Sequence, residues 1–277
     1  MPTLRRLENK VAIVTGGATG IGECIAHKFA LEGARVIVNG LPGEPVQEVV
    51  DAIEAKGGYA EAFIGDVADA DNAWKCVQTA VITFGKLDIL INNGAMPFTT
   101  CEIDQYPIDA FEQSVTNNIR GVFLMTRFAM PELQKTAGNI ISTGGEAGTL
   151  GLALNTPGGG TNGWIHAFTK GVAVEQAKHG VRANCVCPGP MSEPSQANFL
   201  CATQTEQRPT PEEIANVFAF LASDMASFVT GALWAVDGAS TAGKGPVGNE
   251  APRGFKQEPE PEFDWQHSHN GSNKVLR

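Results

Sequence analysis

Thr15-Gly-Gly-Ala-Thr-Gly-Ile-Gly22 is the stretch of this chain whose residue types and spacing point most directly to chemistry. Gly16 allows a tight turn, Gly20 lets backbone approach a bound phosphate, and Gly22 lets a following helix pack closely on a strand. Thr19 and Ile21 lie between them, where the first amides of a helix are free to donate. A helix N-terminus combines those N–H groups with a positive dipole end, and so suits a pyrophosphate. A glycine triplet alone is weak evidence. It gains weight from what surrounds it.

Four further landmarks follow in order. Asp66-Val67 closes a probable third strand, where an acid can meet an adenine amine. Asn92-Asn93-Gly94-Ala95 closes a fourth, Asn118-Ile-Arg-Gly121 falls in a long helix, and Pro188-Gly189 follows a sixth strand. No metal site is expected, because His267-Ser-His269 alone is too small a ligand set. Six cysteines include no Cys-x-x-Cys pair, and Cys185 and Cys187 alternate along a strand in a way that resists bridging.

The elements that must position these residues alternate in type. Strands are expected at Val11–Thr15, Arg35–Asn39, Tyr59–Gly65, Leu87–Asn92, Asn139–Thr143, Arg182–Val186 and Leu233–Asp237. Helices fall between them at Gly20–Glu32, Pro45–Ala55, Asp69–Phe84, Pro107–Gln134 and Gly163–His179. Thr210-Pro-Glu-Glu213 is a capping box opening a last helix to Ala222. Strand–helix alternation implies an α/β fold: one doubly wound Rossmann-type domain on a parallel seven-stranded sheet. The expected division is a domain over residues 1–240 and a proline- and acid-rich tail over 241–277, either solvated or an arm anchored by Phe255, Phe263 and Trp265.

Composition bounds the partners. The 277 residues hold 20 Lys and Arg against 30 Asp and Glu, a net charge of −10, with no basic surplus for nucleic acid or acidic membrane. Hydrophobic residues make up 43% and charged residues 18%, enough for a real core. No apolar run reaches membrane-span length, and Met1–Lys10 lacks a signal-peptide core. A cytoplasmic setting is expected.

In order and spacing these motifs resemble the short-chain dehydrogenase/reductase family over about residues 8–240. The resemblance implies NAD or NADP as cofactor, held by Gly16, Thr19, Gly20, Ile21, Gly22, Asp66, Val67, Asn92, Gly94 and Pro188. It implies a small-molecule substrate and a dimer or tetramer, or a hetero-oligomer with an intact relative. It also implies a Ser-Tyr-Lys set supported by an Asn. Counting back from Glu175 and from Pro188 both places the family's Lys at Asn162, its Tyr at Gly158 and its Ser at Gly145. Only Asn118 matches. The two tyrosines, Tyr59 and Tyr106, lie outside that window, and His166 reads as a packed or interface residue. At the end of the second strand, Gly40-Leu41 offers neither an acid for NAD nor a base for NADP, so the choice between them stays open. Where the family commonly has Thr after Pro-Gly, this chain has Glu193, whose charge ~4 Å from a phosphate would cost about 4 kcal/mol at an effective dielectric of 20 unless it swings away.

Removing a general acid costs roughly 10²–10⁴ in rate. The expectation is therefore a repurposed enzyme of isomerase, lyase or cyclase type acting on a small hydrophobic metabolite, with Asn118, Glu146 and Glu193 as catalytic candidates. Two alternatives stand beside it: a non-catalytic partner subunit of an intact relative, and a residual NAD(P)-dependent oxidoreductase.

Overall fold

The computed structural model describes residues 5–95, 99–189 and 209–243. Seven strands form one sheet: β1 (Val11–Val14), β2 (Arg35–Gly40), β3 (Tyr59–Ile64), β4 (Ile89–Asn92), β5 (Asn139–Thr143), β6 (Arg182–Pro188) and β7 (Leu233–Val236). Their order is β3-β2-β1-β4-β5-β6-β7, and every neighbouring pair is parallel. The order reverses between β1 and β4, which opens a crevice at their carboxyl ends.

The sheet is covered on both faces, and β1 shows why its sequence is apolar without a break. Ala12 and Val14 enter a core with Ile25, Phe29 and Phe218, while Val11 and Ile13 enter the opposite core with Val77, Leu90 and Met125. The first core is closed by α1 (Gly20–Leu31), α2 (Val46–Glu54) and α7 (Pro211–Ala222). The second is closed by α3 (Ala70–Phe84), α5 (Gly121–Thr136) and α6 (Thr156–Gln176), with the short α4 (Ile108–Val115) leading into α5. The capping box is realised: Thr210 Oγ1 accepts from the Glu213 amide at 3.2 Å, and Glu213 accepts from the Thr210 amide at 2.8 Å.

Two helices depart from expectation. The single helix expected over Pro107–Gln134 is interrupted by a π turn at Thr116–Arg120, which places Asn118, 2% exposed, at the wide turn. The helix expected to begin at Gly163 begins at Thr156 and contains Gly158-Gly-Gly160. Three glycines cost about 1 kcal/mol each against alanine. Pro157 in the first turn and the packing of α6 on the 3₁₀ turn Glu146–Gly148 hold the segment helical nonetheless.

Contacts divide the chain into Met1–Ala242 and Gly243–Arg277. Of the second unit only Gly243 is described, so the tail and its aromatic anchors lie outside the described residues. Glu193 and the segment after Gly189 lie outside them as well. No helix among the described residues is long and apolar enough to cross a membrane.

Candidate functional site

The glycine loop is built as its spacing requires. Gly16 has φ +58° and Gly20 φ +57°, the left-handed region that favours glycine. A Cβ on Gly22 would stand 1.9 Å from the Gly16 carbonyl oxygen, and one on Gly16 would stand 2.7 Å from the Gly94 Cα. At Gly20 nothing lies within 4 Å of a would-be Cβ, so that position faces open space. Thr19 is the N-cap of α1 but makes no side-chain cap bond, which leaves the first α1 amides without a local acceptor from it.

A short polar network fixes this loop to the sheet. Thr15 Oγ1 donates to the Ile91 carbonyl at 3.2 Å and accepts from the Asn93 and Gly94 amides at 3.0 and 3.1 Å. Asn93 Nδ2 donates to the Thr15 and Gly16 carbonyls, and Thr143 Oγ1 donates to Asn93 Oδ1 at 3.0 Å. The ends of β1, β4 and β5 are thus tied together beneath the crevice.

Above them lies a cleft of about 330 Å³, within the range of small-ligand pockets. Gly16, Thr19, Ile21, Asp66, Val67 and Gly94 all line it, as the motif reading expects. Gly20 and Gly22 shape the loop, and neither they nor Pro188 is part of the lining. Asn92 is buried behind the cleft, where its amide donates to Thr126 Oγ1 at 3.1 Å; the neighbouring Asn93 faces the cleft instead. Asp66 is exposed and accepts from the Ala68 amide at 2.8 Å.

Asn39 and Leu41, at the strand end read for cofactor choice, also line the cleft, and Glu44, Asn117 and Thr143 join them without any motif to mark them. Asn39 Nδ2 donates to the Phe63 and Gly65 carbonyls at 3.1 and 2.9 Å, holding the end of β2 to β3. Glu44 folds back over that end. Its Oε2 accepts from the Leu41 amide at 2.7 Å and lies 2.6 Å from where a Gly40 Cβ would stand. An acid therefore does reach the end of β2, from four residues further along the chain.

Beyond Thr143, β5 leads into the Glu146–Gly148 turn, which packs on α6. Gly145 faces Asn162: a Cβ at 145 would stand 3.1 Å from Asn162 Nδ2. Gly158 and Asn162 are both buried, one turn apart on α6. Glu146, a catalytic candidate, is 6% exposed and accepts a short hydrogen bond from Ser240 Oγ, so its carboxylate anchors the segment after β7. The Tyr106 hydroxyl is buried without a hydrogen-bond partner among the described residues, and Tyr59 is exposed on β3 beside Arg35. One turn below Asn162, His166 Nε2 lies 3.2 Å from Cys187 Sγ. The Cys185 thiol, and then His166, hold the Cys187 thiol well below its ordinary value against the opposing effect of burial.

A family model described as short chain dehydrogenase matches residues 10–202. The chain is 34% identical over 250 residues to the uncharacterized oxidoreductase YxbG of Bacillus subtilis (strain 168), covering 84% of this chain and 91% of that one. It is 34% identical over 242 residues to a cyclohexanol dehydrogenase of Acinetobacter sp. (strain SE19), covering 85% and 96%. A crystal structure of a dehydrogenase/reductase from Sinorhizobium meliloti 1021 superposes with a TM-score of 0.81 at 30% identity, covering 86% of this chain and 97% of that one. These relatives are named oxidoreductases and dehydrogenases. The expectation of isomerase, lyase or cyclase chemistry is overturned by them, and the oxidoreductase alternative is the one they support.

Proposed function

We propose, from the premise that this chain belongs to the short-chain dehydrogenase family, that it is a nicotinamide-dependent oxidoreductase that favours NAD(H) over NADP(H). The observation that carries this reading is the cleft at the β1–β4 switch point, with a glycine loop in which a Cβ added at Gly16 or Gly22 would collide with backbone. The open face at Gly20 and the uncapped N-terminus of α1 fit a pyrophosphate. Glu44, bonded to the Leu41 amide, fits as acceptor for the hydroxyls of an adenosine ribose, and its charge opposes a 2′-phosphate. Asp66 and Val67 fit the adenine end of the cleft. When bound, the nicotinamide supplies or takes up the hydride.

We read Gly145, Gly158 and Asn162 as the positions where relatives carry Ser, Tyr and Lys. The facing of Gly145 and Asn162, and the burial of Gly158 one turn before Asn162, support that register. On this reading Asn162 holds the substrate oxygen by its amide N–H. An amide has no proton to give at neutral pH, so the alcohol proton exchanges with water. The substrate class we favour is a small alcohol or ketone, a cyclic one first, as named for the Acinetobacter relative.

The same reading places the protein in the cytoplasm, where its described cysteines, all free, stay reduced. It makes the protein an oligomer through exposed Ile108, Phe111 and Phe123 on α4 and α5. The direct test is single-turnover NADH oxidation with excess protein over a panel of small cyclic and linear ketones. Ketone-dependent oxidation that Asn162→Ala reduces is expected. Absence of ketone-dependent oxidation across the panel, with NADH bound, would overturn the reading.

A further inference from the structure

His166, Cys185 and Cys187 play no part in the cleft, and the motif reading gave none of them to a metal. The fold joins them. Cys185 and Cys187 are two residues apart on β6, so both side chains leave the same face of the strand. Their sulfurs lie 3.8 Å apart, in thiol hydrogen-bond reach but too far for a disulfide. His166 comes from α6, packed across that face, and its Nε2 is 3.2 Å from Cys187 Sγ. All three ligand atoms lie within 4.8 Å of one another, and all three residues are buried.

We propose that His166 Nε2, Cys185 Sγ and Cys187 Sγ form a three-ligand site for a soft d¹⁰ cation, Zn²⁺ or Cu⁺. Atoms spaced 3.2, 3.8 and at most 4.8 Å apart leave a point no more than roughly 2.4 Å from each, close to a Zn–S bond of about 2.3 Å and within a few tenths of an ångström of a Zn–N bond. Two thiolates and an imidazole select soft cations over Mg²⁺ or Ca²⁺. The walls leave room for the triangle. A Cβ on Gly144 would stand 2.7 Å from Cys185 Sγ and 2.9 Å from His166 Nε2, and one on Gly148 would stand 2.6 Å from His166 Cε1. No fourth Cys, His, Asp or Glu joins the cluster among the described residues. Cu⁺ accepts three ligands, and Zn²⁺ takes a water or other small ligand in the fourth position. Binding releases the thiol protons to solvent. The bound ion clamps α6 to β6 one turn below Asn162, and it stands independently of the oxidoreductase reading.

The test uses the whole purified chain, stripped with chelator under reductant and titrated with Co²⁺, then with Zn²⁺ and, without oxygen, with Cu⁺. One equivalent of Co²⁺ giving a thiolate-to-metal charge-transfer band, displaced by Zn²⁺ or Cu⁺, is expected. The band should vanish in Cys187→Ser and His166→Ala and persist in the tail variant His267→Ala/His269→Ala. Because buried substitutions can unfold the chain, wild-type protein is also labelled with a thiol reagent and read by mass spectrometry. Zn²⁺ or Cu⁺ should slow labelling of Cys185 and Cys187 at least tenfold while leaving Cys24 and Cys101 unchanged. Absence of the band, its loss with the tail histidines, or equal labelling with and without either metal overturns the site.

Discussion

Glu44 lies over Gly40 at the end of β2, its Oε2 2.6 Å from where a Cβ on that glycine would project. The arrangement depends on a tight turn: the Glu44 amide donates to the Leu41 carbonyl at 3.1 Å, and the carboxylate returns to the Leu41 amide at 2.7 Å. A residue at 40 with any side chain would displace the acid from this place. The glycine and the glutamate together present one carboxylate at the adenosine end of the cleft.

Glu44→Gln should therefore narrow the preference for NAD(H). Like charges ~4 Å apart repel by about 4 kcal/mol at an effective dielectric of 20, and salt and solvent at this half-exposed position reduce that to about 1–2 kcal/mol. The ratio of Kd values for NADP⁺ and NAD⁺ should fall about tenfold, mostly by tighter NADP⁺ binding. An unchanged ratio would remove Glu44 from cofactor choice.

Gly22→Ala should abolish nucleotide binding. Its Cβ would meet the Gly16 carbonyl at 1.9 Å and Asn93 Nδ2 at 2.6 Å, so both the loop and the network that pins it must shift. A loss of about 1–3 kcal/mol in denaturant unfolding should accompany it. Gly20→Ala, facing open space at φ +57°, should cost less in packing and act through backbone strain.

On the proposed register, introducing side chains at positions 145, 158 and 162 should raise turnover. Gly145→Ser with Gly158→Tyr and Asn162→Lys would supply an oxygen donor, a general acid and a cation to lower its pKa. A positioned acid is worth roughly 10²–10⁴. The triple variant should exceed wild type at least tenfold in ketone-dependent NADH oxidation. A folded triple variant with no gain would contradict the register that assigns those positions.

Acid stability should report a cluster far from the cleft. The Arg6 guanidinium first, helped by the Arg6 amide at 3.1 Å and by Lys28, holds the Glu32 carboxyl down to about 2 from an ordinary value of 4.5. A depressed carboxylate stabilises the fold above the unfolded value and loses that contribution as pH falls from about 4.5 toward 2. Arg6→Ala should lower stability at neutral pH by about 1–2 kcal/mol, allowing for solvent screening, and flatten the acid limb in that window. Parallel unfolding curves for the two proteins across that window would contradict it.

The glycine loop, the seven strands and the capping box were legible because each depends on local spacing: a turn, a period or a cap. Asn118 was legible as a residue but not as a π turn, since that wider hydrogen-bond pattern leaves no mark on an apolar period. The first turns of α6 were not legible, because Gly158-Gly-Gly160 favours loop locally and only packing on the Glu146–Gly148 turn overrides it. Glu44 was not legible because the acid stands in the turn after β2 and reaches the strand end only by folding back onto the Leu41 amide. His166 and the two cysteines share no sequence neighbourhood, and their meeting is decided by how α6 lies across β6. The reaction class was not legible either: Gly145, Gly158 and Asn162 suggest a change of reaction, whereas the named relatives are oxidoreductases and dehydrogenases.

Calorimetric titration of the purified chain with NAD⁺, NADH, NADP⁺ and NADPH tests the central claim most directly. Saturable one-to-one binding of NAD⁺ and NADH, about tenfold or more tighter than their phosphorylated counterparts and lost in Gly22→Ala, is the result the cleft and Glu44 predict. Absence of heat with all four nucleotides at millimolar concentration would contradict the account.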